Sequence, residues 1–232
     1  MSAIKKHETV KHTDTLMDAQ DFWEKNNKSI IIALSAIIVL AGGYFGYKYL
    51  YKLPEEKKGV EAIAKAQQYF ANDSLQLALN GDGRNAGFLK VISKYGGTPS
   101  GNLAKLYAGE TYLQLGDYNN ALKYLKDFDA NGSVQTQALV YGLMGDALSE
   151  LKKNDEALEN YKKAGTTFEQ NQALSSEYLF RAASLYEVMG KNKEAIELFQ
   201  QLKDKFPRTE RGFTAEKYLG KRYRTNIKGQ VM

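Results

Sequence analysis

Two patterns of apolar positions divide the chain. From Ser29 to Tyr47 the sequence reads SIIIALSAIIVLAGGYFGY, with no charge between Lys28 and Lys48. At about 1.5 Å per residue this run makes a helix roughly 28 Å long, close to the thickness of a hydrocarbon core, and it predicts a transmembrane helix. Phe22 and Trp23 before it, and Tyr44, Tyr47, Tyr49 and Tyr51 around its end, match the two aromatic belts of a membrane span. A cleaved signal peptide would have a shorter apolar region ending in small residues, whereas this one ends in Tyr44-Phe45-Gly46-Tyr47.

After Leu53-Pro54, which interrupts the helical pattern, apolar residues recur at helical spacing and no strands are indicated. A longer period lies over the helical one. Gly109, Gly145, Ala183 and Gly220 place a small residue at intervals of 36, 38 and 37. Twelve positions after the first three stand Ala121, Ala157 and Ala195, and sixteen after them Leu125, Tyr161 and Phe199. Three positions after the small site come Tyr112, Leu148, Tyr186 and Tyr223. Residues 88–109 also align without gaps on 199–220, an offset of 111 or three periods of 37, pairing Phe88 with Phe199, Tyr95 with Phe206, Thr98 with Thr209, Ala104 with Ala215 and Tyr107 with Tyr218. Antiparallel helices approach closely only where the facing side chains are small, and each pair leaves an apolar face that a neighbouring pair covers. Gly116-Asp117, Lys153-Asn154-Asp155 and Gly190-Lys191-Asn192 supply the turns within pairs.

These residues resemble the tetratricopeptide-repeat (TPR) family, whose pattern places small residues in both helices, an aromatic in each, a Gly at the turn and a Pro after the second helix. Leu179, Ala183, Tyr186, Gly190, Ala195, Phe199 and Pro207 follow it in one unit. Gly109, Tyr112, Gly116, Tyr118 and Ala121 follow it in another, and Tyr141, Gly145, Ala157, Tyr161 and Ala164 in a third, where Lys152 stands at the turn Gly. Residues 57–95 form a degenerate first pair, with Ala62, Ala66, Tyr69 and Phe70 in its first helix and Phe88 to Tyr95 as its second. Asn72 to Arg84 is too long for a tight turn, and its Gly81-Asp82-Gly83 lacks the Lys or the acidic row of a phosphate or cation loop and reads as a plain turn. The expected fold is all-α: a single N-terminal transmembrane helix followed by a TPR-like helical solenoid.

Composition removes most chemistry. The only histidines, His7 and His12, precede the span, and the chain has no cysteine, so disulfides, lipoprotein acylation, thiolate metal sites and His-based catalysis are all excluded from the repeats. Asp117, Asp155, Glu156 and Glu194 lie at turns and helix starts, where capping and the helix dipole account for them. No catalytic, metal or cofactor-binding residue is expected, nor any small-molecule substrate.

Binding surfaces remain. By the repeat register Leu106, Glu110, Leu113 and Gln114, then Leu139, Gly142 and Asp146, then Phe180, Ser184 and Glu187 face the concave groove of the solenoid. The leucines have an equal second reading, packing against a neighbouring repeat. TPR domains that clamp a chaperone's C-terminal carboxylate use Lys, Arg and Asn at such positions, and this set does not match. Residues 53–207 hold 18 basic against 20 acidic side chains, whereas 208–228 hold seven against two, so the basic character sits in a tail that includes Lys221, Arg222 and Arg224. That tail reads as a solvated cap on the last helix or as a contact for an acidic protein or anionic lipid; it is too small, and lacks the motif, for nucleic acid. In the span, Gly42 and Gly46 form a small-xxx-small pair that admits another membrane helix.

One short leading segment, one span and one TPR domain are similar to the YfgM-type ancillary subunits of the bacterial Sec translocon, and Asp21-Phe22-Trp23-Glu24-Lys25-Asn26 before the span is like that family's. The resemblance implies a non-catalytic adaptor in the inner membrane, its N-terminus cytoplasmic and its TPR domain periplasmic, working with SecYEG and a PpiD-like periplasmic chaperone in protein export. The implied domains are a short cytoplasmic segment (1–28), the transmembrane helix and flank (29–52), the degenerate pair (53–99) and the repeats with capping helix and basic tail (100–232). Lysines near the span point the other way on orientation, with Lys48, Lys52, Lys57, Lys58 and Lys65 after it against Lys11, Lys25 and Lys28 before it. The alternative function is a scaffold or regulatory subunit of an unrelated envelope complex.

Overall fold

The computed structural model describes the backbone of residues 3–229 and the side chains of residues 17–220 except residue 19. It is helical, with two compact units, 1–55 and 56–232. The first is α1 (Ala3–Gly46) followed by a π-helical segment (Tyr47–Lys52). From Gln20 onward one window of this helical stretch has a mean hydropathy of 2.1 with none of its residues buried, so the stretch is long and apolar enough to cross a membrane. Ile32, Ile38, Val39 and Leu40 are each about 70% exposed, which an aqueous surface would not favour. Tyr47 stacks on Tyr51 and Phe45 on Tyr49, one turn apart at the end of the apolar run.

The second unit runs α2 (Leu53–Ala71), α3 (Leu75–Asn80), α4 (Phe88–Tyr95), α5 (Pro99–Gln114), α6 (Tyr118–Lys126), α7 (Val134–Glu150), α8 (Asn154–Thr167), α9 (Gln172–Val188), α10 (Asn192–Lys205) and α11 (Glu210–Gly229). Gly109, Gly145 and Ala183 are buried where one helix of a pair meets the other, whereas Gly220, the last small site of the period, is exposed with nothing within 4 Å of a would-be Cβ. A Cβ on Gly109 would lie 2.7 Å from Leu125 Cγ, and one on Gly145 2.5 Å from the Tyr161 ring. The residue sixteen positions on therefore fills the space that the missing side chain leaves open. Ala121, Ala157, Ala183 and Ala195 have no exposed surface.

Two expectations are corrected. Leu53-Pro54 does not end the helical stretch: the π-helical segment Tyr47–Lys52 runs directly into α2, whose second residue is Pro54, and the wider turns of that segment accommodate the N–H that the proline lacks. The segment 72–84 is not simply a long turn, because α3 lies within it. Ala66 and Ala78 are fully buried in one cluster and stand twelve apart, the spacing of Gly109 and Ala121. The second helix of the first pair thus begins at α3, leaves helical geometry at Gly81 to Gly87, and resumes as α4. Asp82 organises the break by accepting hydrogen bonds from the Asn85 and Arg84 amides and from the Tyr69 hydroxyl. These bonds hold its carboxyl well below the usual range. The only bridge among the described residues, Gly81 with Ala86, closes the same loop.

All four pairs turn the same way. Ser74, Asp117, Lys153 and Lys191 donate their amides to the carbonyls of Tyr69, Tyr112, Leu148 and Tyr186, each at 2.9 Å. The residue before each is left-handed: Asp73, Gly116, Lys152 and Gly190, with φ of 57°, 78°, 61° and 74°. The ends of the array also share their packing. Phe88 stacks on Tyr107 at 5.3 Å with Phe70 edge-on, and Phe199 on Tyr218 at 5.1 Å with Phe180 edge-on. Thr98 and Thr209 cap α5 and α11 alike, accepting from the amides of Gly101 and Gly212.

Two outcomes follow from this geometry. Lys152→Gly removes an unfavourable left-handed Lys and raises stability by about 0.5–1 kcal/mol, whereas Gly190→Ala lowers it by about 1–2 kcal/mol, both read by denaturant unfolding. A Cβ at Gly101 would lie 1.9 Å from the Tyr95 carbonyl oxygen, and one at Gly97 meets nothing within 4 Å. Gly101→Ala therefore costs about 1–3 kcal/mol and Gly97→Ala less than about 0.5 kcal/mol in the same measurement.

Candidate protein-binding groove

The first helices of successive pairs, α5, α7, α9 and α11, pack as neighbours. Gly142 of α7 is buried beneath the Tyr178 ring of α9, which occupies the place a Cβ would take. This contact brings the charged side chains on either side of it together. Asp146 of α7 accepts from the Tyr161 hydroxyl at 2.8 Å and from Arg181 of α9. Arg181 also donates to Glu177 Oε1 at 2.8 Å, and Arg211 of α11 donates to Glu177 Oε2 at 2.6 Å. Tyr161, Asp146, Arg181, Glu177 and Arg211 form one chain of hydrogen bonds across three repeats. Arg181 lies over the Tyr178 ring and Arg211 over Phe180, at 5.3 and 4.8 Å.

Beside this chain opens a groove of about 430 Å³ lined by Phe180, Ser184, Leu185 and Val188 together with Glu177, Arg181 and Arg211. Val188 is 80% exposed. Burial, and then the Asp146 charge, push Tyr178 up to about 12 and raise Tyr161 further. Both phenols stay neutral at physiological pH.

The register-derived residues separate into distinct places. Leu106 is buried with Leu125, Val140 and Leu143, and Leu113 and Leu139 pack beside it, so the three leucines meet in an apolar seam between repeats. Phe180 and Ser184 line the open groove, while Asp146 sits at its edge in the hydrogen-bond chain. Glu110 is half-buried, Glu187 partly buried and Gln114 exposed. Gly42 and Gly46 have nothing within 4 Å of a would-be Cβ. The side chains of Lys221, Arg222 and Arg224, and those of His7 and His12, lie outside the described residues. Among the described residues no group of three His, Asp or Glu could hold a metal.

Sequence reasoning missed Glu177, Tyr178, Arg181 and Arg211. A signal for the charged three exists: Asp146 and Arg181 are 35 apart, and Glu177 and Arg211 34 apart. Asp155–Lys191 and Glu169–Lys205, each 36 apart, bridge repeats in the same way. In these four bridges an acid is followed by its base about one period later. Glu110 has no such base: Met144, Gly145 and Asp146 occupy the corresponding positions. Its pKa is raised by burial.

Glu177 and Glu110 therefore respond to pH in opposite senses. Burial alone would raise the pKa of Glu177, but hydrogen bonds from Arg211 and Arg181 more than offset it, and the folded value lies below the ordinary 4.5. The stability it contributes is present above the unfolded pKa and is lost as pH falls through the folded one. Glu177→Gln lowers the melting temperature at neutral pH, and the deficit shrinks below about pH 4. Ionising Glu110, whose folded value is raised, costs stability as pH rises, so Glu110→Gln raises the melting temperature at neutral pH and loses that effect near pH 4, as followed by circular dichroism.

Comparison with known proteins agrees with this architecture. The family profile described as "Tetratricopeptide repeat-like domain" matches residues 20–137, just over half of the 232, and two "Tetratricopeptide repeat" profiles match 138–164 and 177–209. No curated protein matches the sequence. Among solved structures, the chain is similar to the nearly identical TPR-like repeats of a Podosopora anserina protein termed a kinesin light chain, at 16% identity and a TM-score of 0.58, covering 75% of this chain and 90% of that one. MamA is similar at 20% identity and a TM-score of 0.40, covering 62% and 92%. On the profile that spans residues 20–137, with the repeated helical pairs and their shared turns beside it, the chain belongs to the tetratricopeptide repeat-like domain family.

Proposed function

We propose that this chain is a non-catalytic, membrane-anchored adaptor that holds a protein partner on its repeats beside the Sec translocon. TPR repeats indicate a protein–protein interaction scaffold, and TPR folds are typically non-catalytic. The observation that carries the anchored reading is that one family profile begins at residue 20, so it takes in the apolar helix together with the first repeats. The resemblance to YfgM-type subunits supports the finer assignment: SecYEG as the membrane partner, a PpiD-like chaperone on the repeats, the N-terminus cytoplasmic and the TPR domain periplasmic. In this reading Phe180, Ser184 and Glu187, with Asp146 and Glu110, form the partner-facing surface. Leu106, Leu113, Leu139 and Gln114 flank it, and Gly42 and Gly46 are where a membrane helix approaches. Tethering raises the local concentration of a weakly bound partner.

Purification of the tagged full chain in mild detergent recovers SecYEG subunits and a periplasmic chaperone. Ser184→Arg combined with Val188→Glu, at a partly buried and an exposed position of the groove, reduces chaperone recovery about tenfold while leaving the translocon attached. Recovery of a different stable assembly would instead favour a scaffold in an unrelated envelope complex. Protease added to cells with a permeabilised outer membrane digests the repeats; protection in spheroplasts would place them in the cytoplasm and end the translocon assignment.

A further inference from the structure

We propose that the outward face of α11 binds anionic phospholipid headgroups, giving the repeat unit a second attachment to the bilayer. This rests on the reading of residues 29–47 as an embedded anchor. Gly212, Ala215 and Leu219 are buried and set the inward face of α11. Half a turn round the helix, Phe213 is 55% exposed and Lys217 is exposed, its Nζ 4.5 Å over the Phe213 ring. At about 100° per residue, positions 221, 224 and 228 return to within roughly 40° of position 217. They are Lys221, Arg224 and Lys228. Phe213 and four basic positions, Lys217 among them, therefore fall along one line of the helix, opposite the buried positions. Of the two acids in this stretch, Glu210 stands on the same line one turn before Phe213, and Glu216 lies 3.8 Å from Lys203.

Three observations favour a lipid surface over another occupant. The charge is segregated: seven basic residues against two acidic in 208–228, beside a nearly neutral body. Basic positions recurring along one line of the helix, beginning at the exposed Phe213 ring, suit a planar headgroup layer, where an aromatic ring enters the interface and lysine stems lie along it. The repeat unit begins at residue 56, only nine positions past Tyr47, so an embedded anchor keeps headgroups at high effective concentration around it.

The test uses the full chain, which has no cysteine, so Thr225→Cys gives a single labelling site on α11. The labelled protein is placed in liposomes of zwitterionic lipid alone or with about 30% anionic phospholipid, each carrying a headgroup quencher. Quenching at least about fivefold greater with anionic lipid is expected, given the contribution of each basic residue near such a surface. High salt abolishes the difference, as does Lys217→Gln/Lys221→Gln/Arg224→Gln/Lys228→Gln, with circular dichroism confirming that the variant folds; the salt titration of the parent serves if it does not. Equal quenching in both lipids overturns the proposal, as does retention in the folded variant or a label that responds to soluble polyglutamate and not to anionic lipid. Flotation with zwitterionic liposomes reads the anchor separately. A chain that fails to float refutes the anchor, whereas a floating chain with an unquenched label refutes only the α11 contact.

Discussion

The repeat unit depends on close approach of paired helices at residues with little or no side chain. Ala66 with Ala78, Gly109 with Ala121, Gly145 with Ala157 and Ala183 with Ala195 are all buried at these crossings. The residue sixteen positions after the small one, Leu125 or Tyr161, lies against the bare backbone of its pair. A larger residue at Gly109 or Gly145 would push the helices apart, and an interior packed near crystal density has nowhere to put the displaced volume. The shared left-handed turn keeps each pair in one register, so that the first helices of neighbouring pairs meet along the same face.

From that constraint follows the groove. Gly142 lets Tyr178 of the next repeat settle onto α7, and the approach sets Arg181 against Asp146 and Arg211 against Glu177. Because those ion pairs lie at a partly exposed seam, they position side chains more than they stabilise the fold. The open ground beside them is apolar and bordered by charge, which suits an extended or helical protein segment.

The period, the pairing and the turns were legible in the sequence because they depend on residue size alone. So was the equivalence of the two ends, where Phe88 and Tyr107 and then Phe199 and Tyr218 stack alike. The first pair was only half legible: the loop at Gly81 to Gly87 displaces the period after Ala78, so a search for intervals near 37 passes over Ala66 and Ala78. Pro54 misled because a proline is read as a break, whereas here a π-helical segment precedes it and the helical stretch continues. The groove was harder still. Register puts Phe180 and Ser184 on one side of their helix, but whether a leucine faces solvent or a neighbour depends on how far the next repeat leans over it, as Leu106 and Leu139 demonstrate in the buried seam. The arginine ladder was not legible because the meeting of an acid with a base one repeat later depends on how closely neighbouring first helices approach, which at this seam is set by Gly142 beneath Tyr178.

That ladder gives the array a polarity. In Asp146–Arg181, Asp155–Lys191, Glu169–Lys205 and Glu177–Arg211 the acid always belongs to the earlier repeat and the base to the later one. Along these four bridges the charge runs in one direction, like magnets laid head to tail, while Lys203–Glu216, longer at 3.8 Å, runs the other way. Excising or duplicating a whole unit would keep such partners one period apart, whereas inserting part of a unit would carry each base away from its acid.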